Sequence, residues 1–95
     1  MYMLGAELCF AIPGAMSLKD KRQVARSLLE RTRHRFNVAI AEVGTQDVHR
    51  TLTVGIAVVS GDDAHARDQL EAILRYLDSF PGAELMDVTE LESGR

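Results

Sequence analysis

Residues 2–22 read YMLGAELCFAIPGAMSLKDKR, and the change of rhythm inside this stretch decides the fold. From 2 to 12, Leu4, Ala6, Leu8, Phe10 and Ile12 alternate with Met3, Gly5, Glu7, Cys9 and Ala11. That is the period of a strand with one buried face. Pro13-Gly14 stops the run. Ser17-Leu18-Lys19-Asp20 then opens a helix, because the Ser17 hydroxyl can accept an early amide hydrogen while Asp20 reaches back. The helix is expected over about 18–35, burying Leu18, Ala25, Leu28, Leu29, Thr32 and Phe36 on one side.

Outward from this stretch the chain repeats the same vocabulary. A second strand is expected over 37–43, ended by the turn Gly44-Thr45-Gln46-Asp47. A third runs from Thr51 to Val59, with Leu52, Val54, Ile56 and Val58 on one face. Ser60-Gly61-Asp62-Asp63 signals another helix start, its carboxylates well placed for the macrodipole. Ala66, Leu70, Ile73, Leu74, Leu77 and Phe80 keep helical spacing until Pro81-Gly82. A fourth, less regular strand is expected over about 84–91. Strand–helix–strand–strand–helix–strand with short turns is the ferredoxin-like α+β pattern, βαββαβ. Right-handed crossovers then put both helices on one face of a four-stranded antiparallel sheet, with the first and third strands central. Residues 1–92 are expected to form this single domain and 93–95 a frayed tail.

Composition agrees with one small globular domain: 95 residues, 46% hydrophobic and 26% charged. One cysteine allows no internal disulfide and no cysteine-based metal site, which fits a reducing compartment. No apolar run reaches the roughly 18 residues of a membrane span, and the first residues lack a basic-then-apolar signal pattern. The expectation is a cytoplasmic protein without membrane contact or cofactor.

The net charge of −3 conceals an asymmetry. Residues 19–35 hold seven bases against two acids, a local +5, and the remainder carries −8. A bipolar chain of this kind can present a basic face although its pI is acidic. Lys19, Arg22, Arg26 and Arg33 fall within about 60° of one another on the first helix, forming a ridge. The turn before it, with Ser17 and Lys21 added, resembles a helix-terminus anion site. Ser17, Lys19, Lys21, Arg22, Arg26 and Arg33 are therefore the candidate residues for binding an anion, with charge spread over several turns suiting a polyanion such as RNA or ribosomal phosphate. A capped helix with solvated lysines is the plainer alternative.

The sheet face away from the helices carries a second signal. Met3, Gly5, Cys9 and Ala11 share it with Thr53, Gly55, Ala57, Val59, Ala39, Ala41 and Val43, and Glu7 is its one acid on these strands. Small apolar side chains on a solvent face mark an interaction surface. A homodimer is expected, with Met3, Gly5, Cys9, Ala41, Gly55 and Ala57 at its face. Base stacking across the sheet is not expected, because the aromatics fall mostly at helix-facing or helical positions.

Catalytic constellations are sparse. His34, His49 and His65 are scattered without paired ligand spacing, and no metal site is expected. Glu42 and Asp47 could pair near the second hairpin, though solvated turn carboxylates are the plainer reading. Acylphosphatases share this size and fold, but the first connection here reads AIPGAMSLKDKR and lacks their glycine–glutamine–glycine–valine cradle. No catalytic residue is assigned. A protein–protein or small-ligand module and an anion hydrolase stand as alternatives to the non-enzymatic, RNA-binding accessory role.

SLKDKR at 17–22, RFNVAIAEVG at 35–44, Gln46-Asp47, GIAVVS at 55–60 and LDSFP at 77–81 together resemble the YlxP-like family of small bacterial proteins of unknown function. The matching residues include Ser17, Leu18, Lys19, Asp20, Lys21, Arg22, Arg35, Phe36, Asn37, Val38 and Glu42. The resemblance implies a ferredoxin-like fold. It also implies a role near RNA or the ribosome, since genes of that family lie in some bacteria among transcription, translation-initiation and ribosome-maturation genes. Two departures stand out. Val48-His49-Arg50-Thr51 replaces a tryptophan followed by Gln-Arg-Thr, and Ala39 stands where serine is frequent.

Overall fold

The computed structural model describes residues 1–94. In chain order it contains β1 (Tyr2–Ala11), α1 (Leu18–Arg35), β2 (Ala39–Glu42), β3 (Thr51–Ser60), α2 (Asp63–Asp78) and β4 (Glu84–Gly94). The strands form one antiparallel sheet in the order β2-β3-β1-β4. This is the ferredoxin-like arrangement, with both helices against one face and the two most regularly alternating strands in the middle.

The alternation in β1 and β3 converts directly into burial. Leu4, Ala6, Leu8, Phe10 and Ile12 face Leu52, Val54, Ile56 and Val58 across the central pair, and all are buried. From above, Ala25 and Leu28 of α1 and Ala66, Leu70, Ile73 and Leu77 of α2 close the core. Each fully buried Leu, Ile or Phe contributes about 1.5–3 kcal/mol relative to exposure.

Both helices are capped as the sequence implies. Asp20 N–H donates to the Ser17 hydroxyl at 3.2 Å, and Ala64 N–H donates to the Asp62 carboxylate at 3.2 Å. Phe36 leaves α1 in extended conformation while its N–H still donates to Thr32 O at 2.9 Å. The buried stripe of α1 is rotated from the expected one. Lys21, Ala25, Leu28 and Thr32 are buried, whereas Leu18, Leu29 and Phe36 are only half-buried.

The edge strands depart most from expectation. β2 spans four residues rather than 37–43; ahead of it the Asn37 carbonyl accepts from Gln69 Nε2 of α2 at 3.0 Å, and after it Val43 N–H still donates to Thr53 O at 2.8 Å. β4 pairs with β1 as far as Gly94, so residues 93 and 94 of the expected tail belong to the sheet, and Arg95 lies outside the described residues. A bulge in β4 sets Asp87 opposite Cys9 but Leu85 opposite Phe10, leaving Met86 as the extra residue.

Candidate anion-binding site on the first helix

Serine 17 begins the most specific motif, and its residues divide into two groups. Four of them build the local structure. Ser17 caps the helix, and Asp20 accepts from Met16 N–H at 2.9 Å, a reciprocal lock on the turn. Leu18 is half-buried at the edge of the core. Lys21 is buried to 1% exposure, its Nζ lying 2.8 Å from Glu42 Oε2 and also donating to the Thr45 carbonyl. Glu42 Oε2 has no other donor, so the ammonium charge is its partner. Thr45 in turn accepts from Thr53 N–H at 2.8 Å through its hydroxyl, and Gly44 makes the turn at φ 79°. Lys21 thus ties the start of α1 to the β2–β3 connection.

This corrects two expectations. Lys21 is not available to an outside anion. Glu42, expected as a solvated turn carboxylate, is half-buried against Lys21, while Asp47 is exposed in the turn as expected. The connection before α1 does not form an open anion cradle either. Ala15 N–H donates to Ile12 O at 3.1 Å, Met16 N–H to Asp20, and Asp20 N–H to Ser17. Ser17 therefore acts as a cap, and the carboxylate of Asp20 occupies the place where an anion would sit.

Lys19 and Arg22 form the other group, and Arg26 joins them one turn on. All three are exposed. Among the described residues, the side chains of Lys19, Arg22, Arg26 and Arg50 have no ion pair, hydrogen bond or ring partner. The other described lysine and arginine side chains are engaged. Arg67 bridges Asp63 at 3.0 Å and Glu92 at 2.8 Å, which raises its guanidinium above the ordinary range, and Arg75 pairs with Glu71 at 3.0 Å. Lys19, Arg22 and Arg26 span about 10 Å of helix axis at ~1.5 Å per residue. Arg33 continues the flank, but one of its amino groups donates to the Ile40 carbonyl of β2 at 2.8 Å. It is exposed and only partly committed. Glu30 shares this flank and forms no ion pair with its basic neighbours among the described residues.

Sequence reading missed a cluster on the other flank of α1. Arg35 lies over the rings of Phe36 and Tyr76 at 5.7 and 5.2 Å, and Arg31 over Phe80 at 6.0 Å. Tyr76 also meets Phe36 and Phe80 edge-on, with centroids 5.5 and 6.1 Å away. The signal was present as Arg31/Arg35 and Tyr76/Phe80, each four residues apart and so on one helix face. These arginines cement the two helices at their C-terminal ends, leaving the Lys19–Arg22–Arg26 flank as the uncommitted one.

Among the described residues no group of three or more His, Cys, Asp and Glu side chains is placed to hold a metal ion. No helix of the described residues is long and apolar enough to cross a membrane.

Comparison with known proteins places these features in a family. Residues 4–90 match the model of the protein family of unknown function DUF503. The chain is 41% identical over 83 residues to the uncharacterized protein YlxP of Bacillus subtilis (strain 168), covering 86% of this chain and 90% of that one. In fold it is similar to a de novo designed protein with a ferredoxin fold, at a TM-score of 0.52 and 15% identity, covering all of this chain and 88% of the design.

Proposed function

Because the chain belongs to the DUF503 family, whose function is unknown, we propose a role from its own surface: a non-enzymatic accessory protein that holds RNA through backbone phosphates on Lys19, Arg22 and Arg26. The observation that carries this is the contrast within one protein. Both arginines within α2 are engaged by carboxylates, while three bases on α1 are exposed and, among the described residues, without partners, in a molecule that has more acids than bases. A row of unneutralised cations along one flank suits a polymer of evenly spaced charges better than a single small anion. Phosphate contacts of this kind position a nucleic acid without reading its bases, so weak sequence preference is expected.

The test is binding of a labelled, mixed-sequence single-stranded RNA to the wild type and to the Lys19→Glu/Arg26→Glu double variant. Loss of most of the affinity in the variant supports the assignment; undiminished binding overturns it. A pull-down from cells separates the nearest competitor. Capture through the ridge that survives ribonuclease assigns it to an acidic protein surface instead.

A further inference from the structure

The sheet face opposite the helices is unpartnered, and its register can be read across all four strands. Ala39, Ala57, Gly5 and Leu91 form one row, and Ala41, Gly55, Glu7 and Thr89 the next. Met3 pairs with Val59 beside the first row, and Cys9 with Thr53 and Asp87 beyond the second. The large apolar side chains here stand in water: Met3 is 46% exposed, Val59 59% and Leu91 61%. Ala39, Ala41 and Ala57 are exposed between them, while Gly5 is buried between its neighbours and Gly55 and Cys9 are half-buried.

We propose that this face is covered by the same face of a second copy, giving a face-to-face dimer. Area argues for the whole face rather than one end of it. Strands about 4.8 Å apart, of ten, ten, eleven and, for β2, only four residues at ~3.4 Å each, present about 570 Å² per copy. Two such faces bury about 1,140 Å², which clears the roughly 1,000 Å² required of a biological interface, whereas half the face would fall among weak contacts. The small residues let the two sheets approach to the ~10 Å of a sandwich, with Met3, Val59 and Leu91 as the anchors.

Covering the whole face encloses Glu7 on a central strand. The titratable groups on this face among the described residues are Glu7, Cys9, Glu84 and Asp87, and no Lys or Arg accompanies them. The described residues of an identical partner bring none either. The Glu7 carboxylate therefore opposes the association, and removing its charge strengthens it. Both basic ridges stay on the outside, because α1 lies on the other side of the sheet.

Sedimentation-equilibrium analysis of four proteins tests this. The wild type is expected to dimerise in the micromolar range. Glu7→Gln should tighten the dimer about tenfold or more, whereas Ala57→Glu and Val59→Asp should weaken it at least a hundredfold. Both disrupted positions are exposed in the single chain, and matching circular dichroism melts would confirm that each variant folds. A wild type that is monomeric at about 100 μM overturns the proposal, as does a dimer indifferent to both substitutions. A dimer broken by Ala57→Glu but not tightened by Glu7→Gln overturns the whole-face packing.

Discussion

Lysine 21 shows how a basic residue can lie within a charged run and take no part in its surface. It occupies a core position of α1, in line with Ala25, Leu28 and Thr32, where an uncharged side chain would be ordinary. Its ammonium is tolerable there only because Glu42 and the Thr45 carbonyl receive it. Replacing Glu42 with alanine should cost about 3 kcal/mol, the low end for breaking a buried pair, because Glu42 itself keeps 19% exposure. Chemical denaturation would measure it, and an unchanged midpoint would show that the pair carries no weight. Lys21→Met should be milder than Glu42→Ala, since it removes the buried charge and keeps the stem. Gly5 is a second residue-scale constraint. A Cβ added there would lie 2.7 Å from the Ile56 carbonyl oxygen, in backbone that cannot swing aside. Gly5→Ala should therefore destabilise by about 2 kcal/mol, lowering the melting temperature by roughly 10 °C.

Elements differ in how far local sequence determines them. The limits of α1 and α2 were legible because a capping residue and a helical period coincide in each, with Pro81-Gly82 stopping the second. β1 and β3 were legible because one face is wholly buried, which keeps the alternation strict. The edges were not. Ahead of β2 the Asn37 carbonyl is taken by Gln69, a partner 32 residues away, which no local pattern announces. In β4 the extra residue at Met86 shifts the phase, so Leu85 and Val88 both face the helix side although they are three apart. That shift also hid Leu91 as part of the open face. Within α1, Ser17→Ala should lose the hydrogen bond to Asp20 N–H and about 1 kcal/mol of stability, read as a fall in denaturation midpoint. RNA binding should be unchanged in this variant if Ser17 is a cap rather than a ligand.

At the scale of the whole molecule, charge is sorted by layer and flank. α2 settles its arginines on its own and β4's carboxylates, α1 sets two arginines against aromatic rings, and one flank of α1 is left with bare cations. The sequence showed that seven bases crowd residues 19–35. It could not show which were spent, because Lys21 finds Glu42 and Arg33 finds Ile40 only after β2 folds back beside the helix. The candidate set of six accordingly contracts to Lys19, Arg22 and Arg26, with Arg33 partly engaged. Titrating a labelled single-stranded RNA across a range of sodium chloride concentrations tests this sorting most directly. Three phosphate contacts predict a log–log slope near −2 for the wild type and a reduction of about 1.4 on reversing Lys19 and Arg26. A slope unaltered by that reversal would contradict the account.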